Sequence, residues 1–129
     1  MRRLSPAELD AYDVVSRALA SRVHIQQVPF LAPGSSGMTI GRWIFLRNDG
    51  PHDGSQKIIA HELVHVRQYY ERGLWRFLAR YLADYARALA RLHRHRAAYY
   101  AIPFEVQAYA EADEWLARRQ SDRTVSVEN

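Results

Sequence analysis

His61-Glu62-Leu63-Val64-His65 brings together the residue types that metal-assisted hydrolysis requires. Residues four apart lie on one helix face, about 6 Å apart at Cβ, so two imidazoles there can reach one metal ion from consecutive turns. Glu62 lies to the side of the pair and can sit beside the metal without filling a coordination site. A zinc hydrolase needs neutral nitrogens to hold Zn²⁺ and a carboxylate to take a proton from water. A further acid, Glu105, stands at the expected start of a downstream helix, beside the small residues Ala108 and Ala112. A carboxylate there can reach a metal held by another helix, or serve only as a helix-start charge.

The elements that must position these groups are legible in part. Ile58 to Tyr69 contains neither Gly nor Pro, and aliphatic residues surround the two histidines, which predicts a buried helix. Asp53 or Ser55 is placed to cap it and Gly73 to end it. Near the N-terminus, Ser5-Pro6-Ala7-Glu8 has the form of a capping box. It predicts a first helix to about Arg22, burying Leu9, Tyr12, Val15 or Ser16, and Leu19. Residues 23–28 alternate and favour a strand, with His24 on its polar side. Residues 29–37 read as a loop, and Met38 to Arg47 as a second strand region bent at Gly41. The two strand regions predict a small antiparallel sheet. Its candidate edge is Gly41 to Leu46, including Gly41, Arg42, Trp43 and Ile44, which either pairs with an extended substrate or is plain core.

A third helix is expected from about Leu74 to Arg91. Leu74, Leu78, Tyr81, Tyr85, Leu89 and Leu92 form its apolar stripe, opposite Arg76, Arg80, Arg87, Arg91 and Arg94. Packing on the domain is one use of such a helix, and contact with a membrane surface or an acidic partner another. His93, His95, Tyr99 and Tyr100 follow, as residues that could enter the cleft and hydrogen-bond an oxyanion. The fourth helix is expected from Pro103 to Leu116. One domain over residues 1–119 and a flexible polar tail over 120–129 complete the plan.

A chain of 129 residues is long enough for one domain with a real core. The absence of cysteine excludes disulfides and thiolate ligands, which leaves His, Asp and Glu as the strong metal ligands. No apolar run approaches the length of a membrane span, and Met1 to Pro6 lacks the apolar segment of a signal peptide, so a cytoplasmic protein is expected. The net charge is +4 and Lys57 is the single lysine. Arginine pairs readily with phosphate and carboxylate, which keeps nucleic acid and anionic lipid among the possible partners.

The run from His61 to Tyr69, then Gly73 with Phe77 and Tyr81, then Ile102 to Tyr109, resembles small bacterial zinc metallopeptidases of the gluzincin type, in their minimal single-domain form. The resemblance covers roughly residues 38 to 116. It implies a mainly helical α+β, zincin-like fold: a backing helix, a short sheet, the motif helix and a glutamate helix. It implies His61, His65 and Glu105 as ligands of Zn²⁺ and Glu62 as general base for attack of water on a peptide carbonyl. Each ligand histidine should pass its second ring nitrogen to an acceptor, for which Glu111 and Asp113 are candidates. Larger gluzincins often place an orienting Asp where this chain has Tyr109, a residue that could instead support the site or the oxyanion. Glu71, Glu111 and Glu114 are rival third ligands.

Two functions are therefore expected to compete. One is a zinc-dependent metallopeptidase acting on a peptide or protein. The other is a catalytically silent, metal-stabilised binding module that presents its basic helix to nucleic acid, anionic lipid or an acidic protein. Substrate, specificity, oligomeric state and latency are not encoded in these motifs.

Overall fold

The computed structural model describes residues 1–32 and 34–128. The chain is mostly helical with one small sheet, an α+β arrangement. Its elements in order are α1 (Pro6–Ala11), α2 (Arg17–Ala20), β1 (His24–Gln27), β2 (Gly37–Ile40), β3 (Trp43–Leu46), α3 (Lys57–Arg72), α4 (Leu74–Leu92), α5 (His95–Ala101) and α6 (Pro103–Glu128).

The capping box forms as expected: Glu8 N–H donates to Ser5 Oγ, and Ser5 N–H donates to Glu8 Oε1. The predicted single helix to Arg22 does not form. It stops at Ala11, and Ser16 caps a second short helix through Leu19 N–H. Val14 and Val15, in the break between the two helices, are both buried in the core. The carbonyl of Val14, released from helical bonding, accepts from Arg67 of α3 at 2.8 Å.

The sheet is mixed rather than antiparallel. Its order is β1-β3-β2, with β1 parallel to β3 and β2 antiparallel to it. Residues 38–47 are not one bent strand. Gly41 (φ 61°) and Arg42 form a tight hairpin turn between β2 and β3, a left-handed position suited to glycine. The expected substrate edge is thereby corrected. Gly41 and Arg42 lie in the turn, and Trp43 and Ile44 belong to the central strand, paired on both sides. The outer strands are β1 and β2; Ile25 of β1 exchanges main-chain bonds with Arg2, and β2 is the edge that borders the cleft. Arg47 N–H donates to Ser36 O, which sets the alternation of the ladder and turns the main-chain groups of Gly37 and Thr39 away from β3.

The inner sheet face (Ile25, Ile44, Leu46) packs with Ile59, Leu63, Val64 and Val66 of α3, and α6 closes this core with Ala108, Ala112 and Trp115. Trp115 also donates its indole N–H to Ala11 O at 2.8 Å. A second cluster joins Tyr69, Phe77, Ile102 and Phe104 where α3, α4 and α6 meet. The Phe77 ring lies 3.9 Å from that of Tyr69 and 4.5 Å from that of Phe104.

Three helix boundaries differ from expectation. Neither Asp53 nor Ser55 caps α3. Gln56 occupies the N-cap without a side-chain bond, and its N–H donates instead to Tyr12 Oη at 2.9 Å. A separate α5 forms after His93 ends α4 in a left-handed conformation. The last helix continues past Leu116 to Glu128, so the expected tail of residues 120–129 is helical in backbone as far as Glu128, and Asn129 lies outside the described residues. No described helix is long and apolar enough to cross a membrane.

Replacing Tyr12 by Phe removes the acceptor that the Gln56 N–H has among the described residues while keeping the ring against Trp115. Tyr12→Phe is expected to lower stability by about 1–2 kcal/mol in urea unfolding.

Candidate metal centre

His61 and His65 project from consecutive turns of α3, and both are buried, at 4% and 5% exposure. Glu105 stands in the first turn of α6, 3% exposed. Ala108 and Ala112, with no exposed surface, let α6 lie close against α3 and carry Glu105 to the histidines. The Nε2 atoms of His61 and His65 lie 3.0 and 2.9 Å from the same oxygen, Glu105 Oε1. One ligand atom from each residue falls within 4.8 Å of the others, the only such cluster among the described residues.

Supporting bonds fix what each group presents. Tyr81 Oη donates to Glu105 Oε2 at 2.7 Å. Gln68 donates through Nε2 to Phe104 O and Gln107 Oε1, which turns its Oε1 towards His65 Nδ1 at 2.8 Å. His65 therefore carries a proton on Nδ1. In the neutral ring its Nε2 then aims a lone pair at a carboxylate oxygen. That contact repels unless the ring takes a second proton or a cation lies between them. The donor set of two imidazole nitrogens and one carboxylate oxygen suits a borderline divalent metal such as zinc and does not single zinc out.

Electrostatics tell the same story. Burial disfavours charge on His65, yet its bond to Glu105 and the charge of Glu62 raise its pKa to about 8. Burial alone would raise Glu105, but the bonds from His61, His65 and Tyr81 hold it well below the usual carboxylate range. A cation here would do the work of the proton on His65.

Glu62 faces the adjacent cleft. It is 2% exposed, and Thr39 Oγ1 of β2 donates to its Oε2 at 2.6 Å. Burial raises its pKa against the lowering effect of the two histidines. Gly37 leaves room for it: a Cβ at that position would stand 2.9 Å from Glu62 Oε1. The cleft has a volume of about 300 Å³ and is walled by residues 34–37, Lys57, Ile58, His61, Glu62, Tyr99, Tyr100 and Tyr109.

The remaining sequence candidates divide. Tyr99, Tyr100 and Tyr109 line the cleft, and the Tyr109 ring lies 4.3 Å from that of His61. His93 and His95 do not line it: His93 is the exposed end of α4, and His95 bonds to Tyr85 Oη. Glu111 pairs with Arg67, and Asp113 with Lys57, so neither orients a histidine. Glu71 and Glu114 are exposed and away from the cluster. His61 Nδ1, expected to find an acceptor, is buried with no hydrogen-bond partner among the described residues.

Thr39, Gln68 and Tyr81 were not legible as site residues. Gln68 left a signal as a polar side chain three residues after His65 on the same helix face, and Tyr81 only as one of the residues that carry the family resemblance.

Residues 20–73 match the family model described as the eCIS core domain. The match takes in the sheet and α3, with His61, Glu62 and His65, and ends before α4, α5 and the helix of Glu105. No gluzincin model matches. No curated protein and no solved structure matches the chain.

Metal and proton compete for His65. Zinc affinity, measured by chelator competition, is expected to rise about tenfold per pH unit and to level off above about pH 8. Gln68→Ala, which frees the His65 ring, is expected to weaken it by about 10–100-fold.

Proposed function

We propose that this chain is a zinc-dependent metallopeptidase domain. The observation that carries the reading is the buried convergence of His61 Nε2, His65 Nε2 and Glu105 Oε1 beside a second, separately held carboxylate, Glu62. Those three atoms would hold the ion. When bound, zinc would supply the Lewis acidity that brings the pKa of water towards neutrality and polarises a carbonyl.

The chain's own groups account for the rest. Glu62, raised in pKa by burial, accepts the proton of the attacking water and returns it to the departing amine. Thr39 holds one Glu62 oxygen and leaves the other towards Gly37. Burial keeps the Tyr99 and Tyr109 phenols protonated at neutral pH, so they can donate to the scissile carbonyl oxygen as it gains charge. An extended peptide would lie along β2, not β3. Tyr69 Oη already donates to Thr39 O, which leaves Thr39 N–H and both main-chain groups of Gly37 to pair with substrate.

The test is metal analysis of the purified chain followed by cleavage of a peptide library. One zinc per chain is expected, with Glu62→Gln lowering cleavage by about 10²–10⁴-fold while zinc is retained. Zinc-loaded wild type that cleaves no peptide, or Glu62→Gln that cleaves equally well, would overturn the peptidase reading.

A further inference from the structure

The chain's positive charge is concentrated in one segment, α4 and its flanks. Between Arg72 and Arg96 lie seven arginines and a single acid, Asp84, for a segment net charge of +6. The other eleven basic and thirteen acidic residues sum to −2, which together make the chain's +4. α4 occupies most of this segment, and only Phe77 and Ala88 on it are fully buried. At 19 residues it is about 28 Å long.

Helical spacing sorts its exposed side chains into strips. Phe77, Tyr81 and Ala88 point into the domain. Trp75, Leu82 and Leu89, exposed to 77%, 61% and 36%, form one outer flank. Ala79, Ala86 and Ala90 follow round the helix, also exposed, and Arg76, Arg80, Arg87 and Arg91 form the other flank. Arg80 pairs with Asp84, whereas Arg76, Arg87 and Arg91 make no ion pair among the described residues. Bare cations thus run beside bare apolar side chains along the whole helix.

We infer that α4 is a docking surface for an anionic lipid bilayer, lying in the plane of the interface. Trp75, Leu82, Leu89 and the alanines between them would enter the boundary between headgroups and acyl chains. The arginines, flexible enough to stay in water, would lie against lipid phosphates. Charge complementarity selects an anionic occupant. The leucine and tryptophan flank favours lipid over nucleic acid, which would use the arginines and leave those side chains in water. This docking does not depend on the metallopeptidase reading. If both hold, Tyr81 on the inward side of the same helix sets the metal cluster about one helix diameter from the bilayer.

Sedimentation of the full chain with vesicles tests this. One set is phosphatidylcholine alone, and the other contains about one-third phosphatidylglycerol. Binding to the second set only is expected, weakening with salt. Arg76→Glu with Arg87→Glu should reduce it by at least about thirtyfold. Arg22→Glu with Arg42→Glu makes the same change in net charge elsewhere and should change it less than about threefold. Trp75→Ala with Leu82→Ala should reduce vesicle binding by about tenfold or more. All these side chains are exposed, and circular dichroism checks that each variant folds. No binding to anionic vesicles would overturn the proposal. So would equal losses in the two arginine pairs, no effect of Trp75→Ala with Leu82→Ala, or tighter binding to duplex DNA than to anionic vesicles.

Discussion

Glu105 meets His61 and His65 because α6 lies close against α3, and it can lie close because Ala108 and Ala112 have no long side chains to hold it off. Much of the site follows from that approach. It carries Gln107 within reach of Gln68, which in turn sets the ring of His65. Gln107 bonds onward to Glu111, and Glu111 to Arg67, which reaches back to the Val14 carbonyl at the break between α1 and α2. One chain of polar contacts therefore runs from a candidate metal ligand to the far side of the domain. It is built on helix faces, which hold geometry better than loops do.

The cluster is also electrostatically coupled. Two imidazoles share one carboxylate oxygen, and Gln68 assigns the Nδ1 proton of His65, so a second ring proton or a bound cation makes the contact with His65 favourable. The raised pKa of His65 and the depressed pKa of Glu105 are two expressions of that coupling. Glu62 differs because it lies outside the shared contact, bonded to Thr39, and burial leaves its carboxyl with a raised pKa against the lowering effect of that bond and of the two histidines. Environment thus separates two glutamates of identical chemistry into a candidate ligand and a candidate base.

The two ends of the chain's interest lie on opposite sides of α4. Its inner side contributes Phe77 and Tyr81 to the cluster beneath Glu105, and its outer side is basic and partly apolar. The family match ends before this helix begins. The sheet and motif helix are therefore the part shared with that family model, while Glu105 and Tyr81 lie beyond the match.

His61, Glu62 and His65 were legible in sequence because helix periodicity alone sets how residues one and four apart face each other. The helical character of the chain, the capping box and the small face of α6 were legible for the same reason: each is a local pattern. The tertiary structure decided what depended on distant contacts. Whether Gly41 bends a strand or turns a hairpin depends on which strand lies alongside, and the return of β3 beside β1 put β3 in the centre and left β2 an outer strand. The break after Ala11 is stabilised partly by Arg67, fifty-three residues beyond the carbonyl it caps. Thr39, Gln68 and Tyr81 acquire their roles only when β2, α3 and α4 are packed around the two glutamates, because a hydrogen bond is set by separation in space and not along the chain.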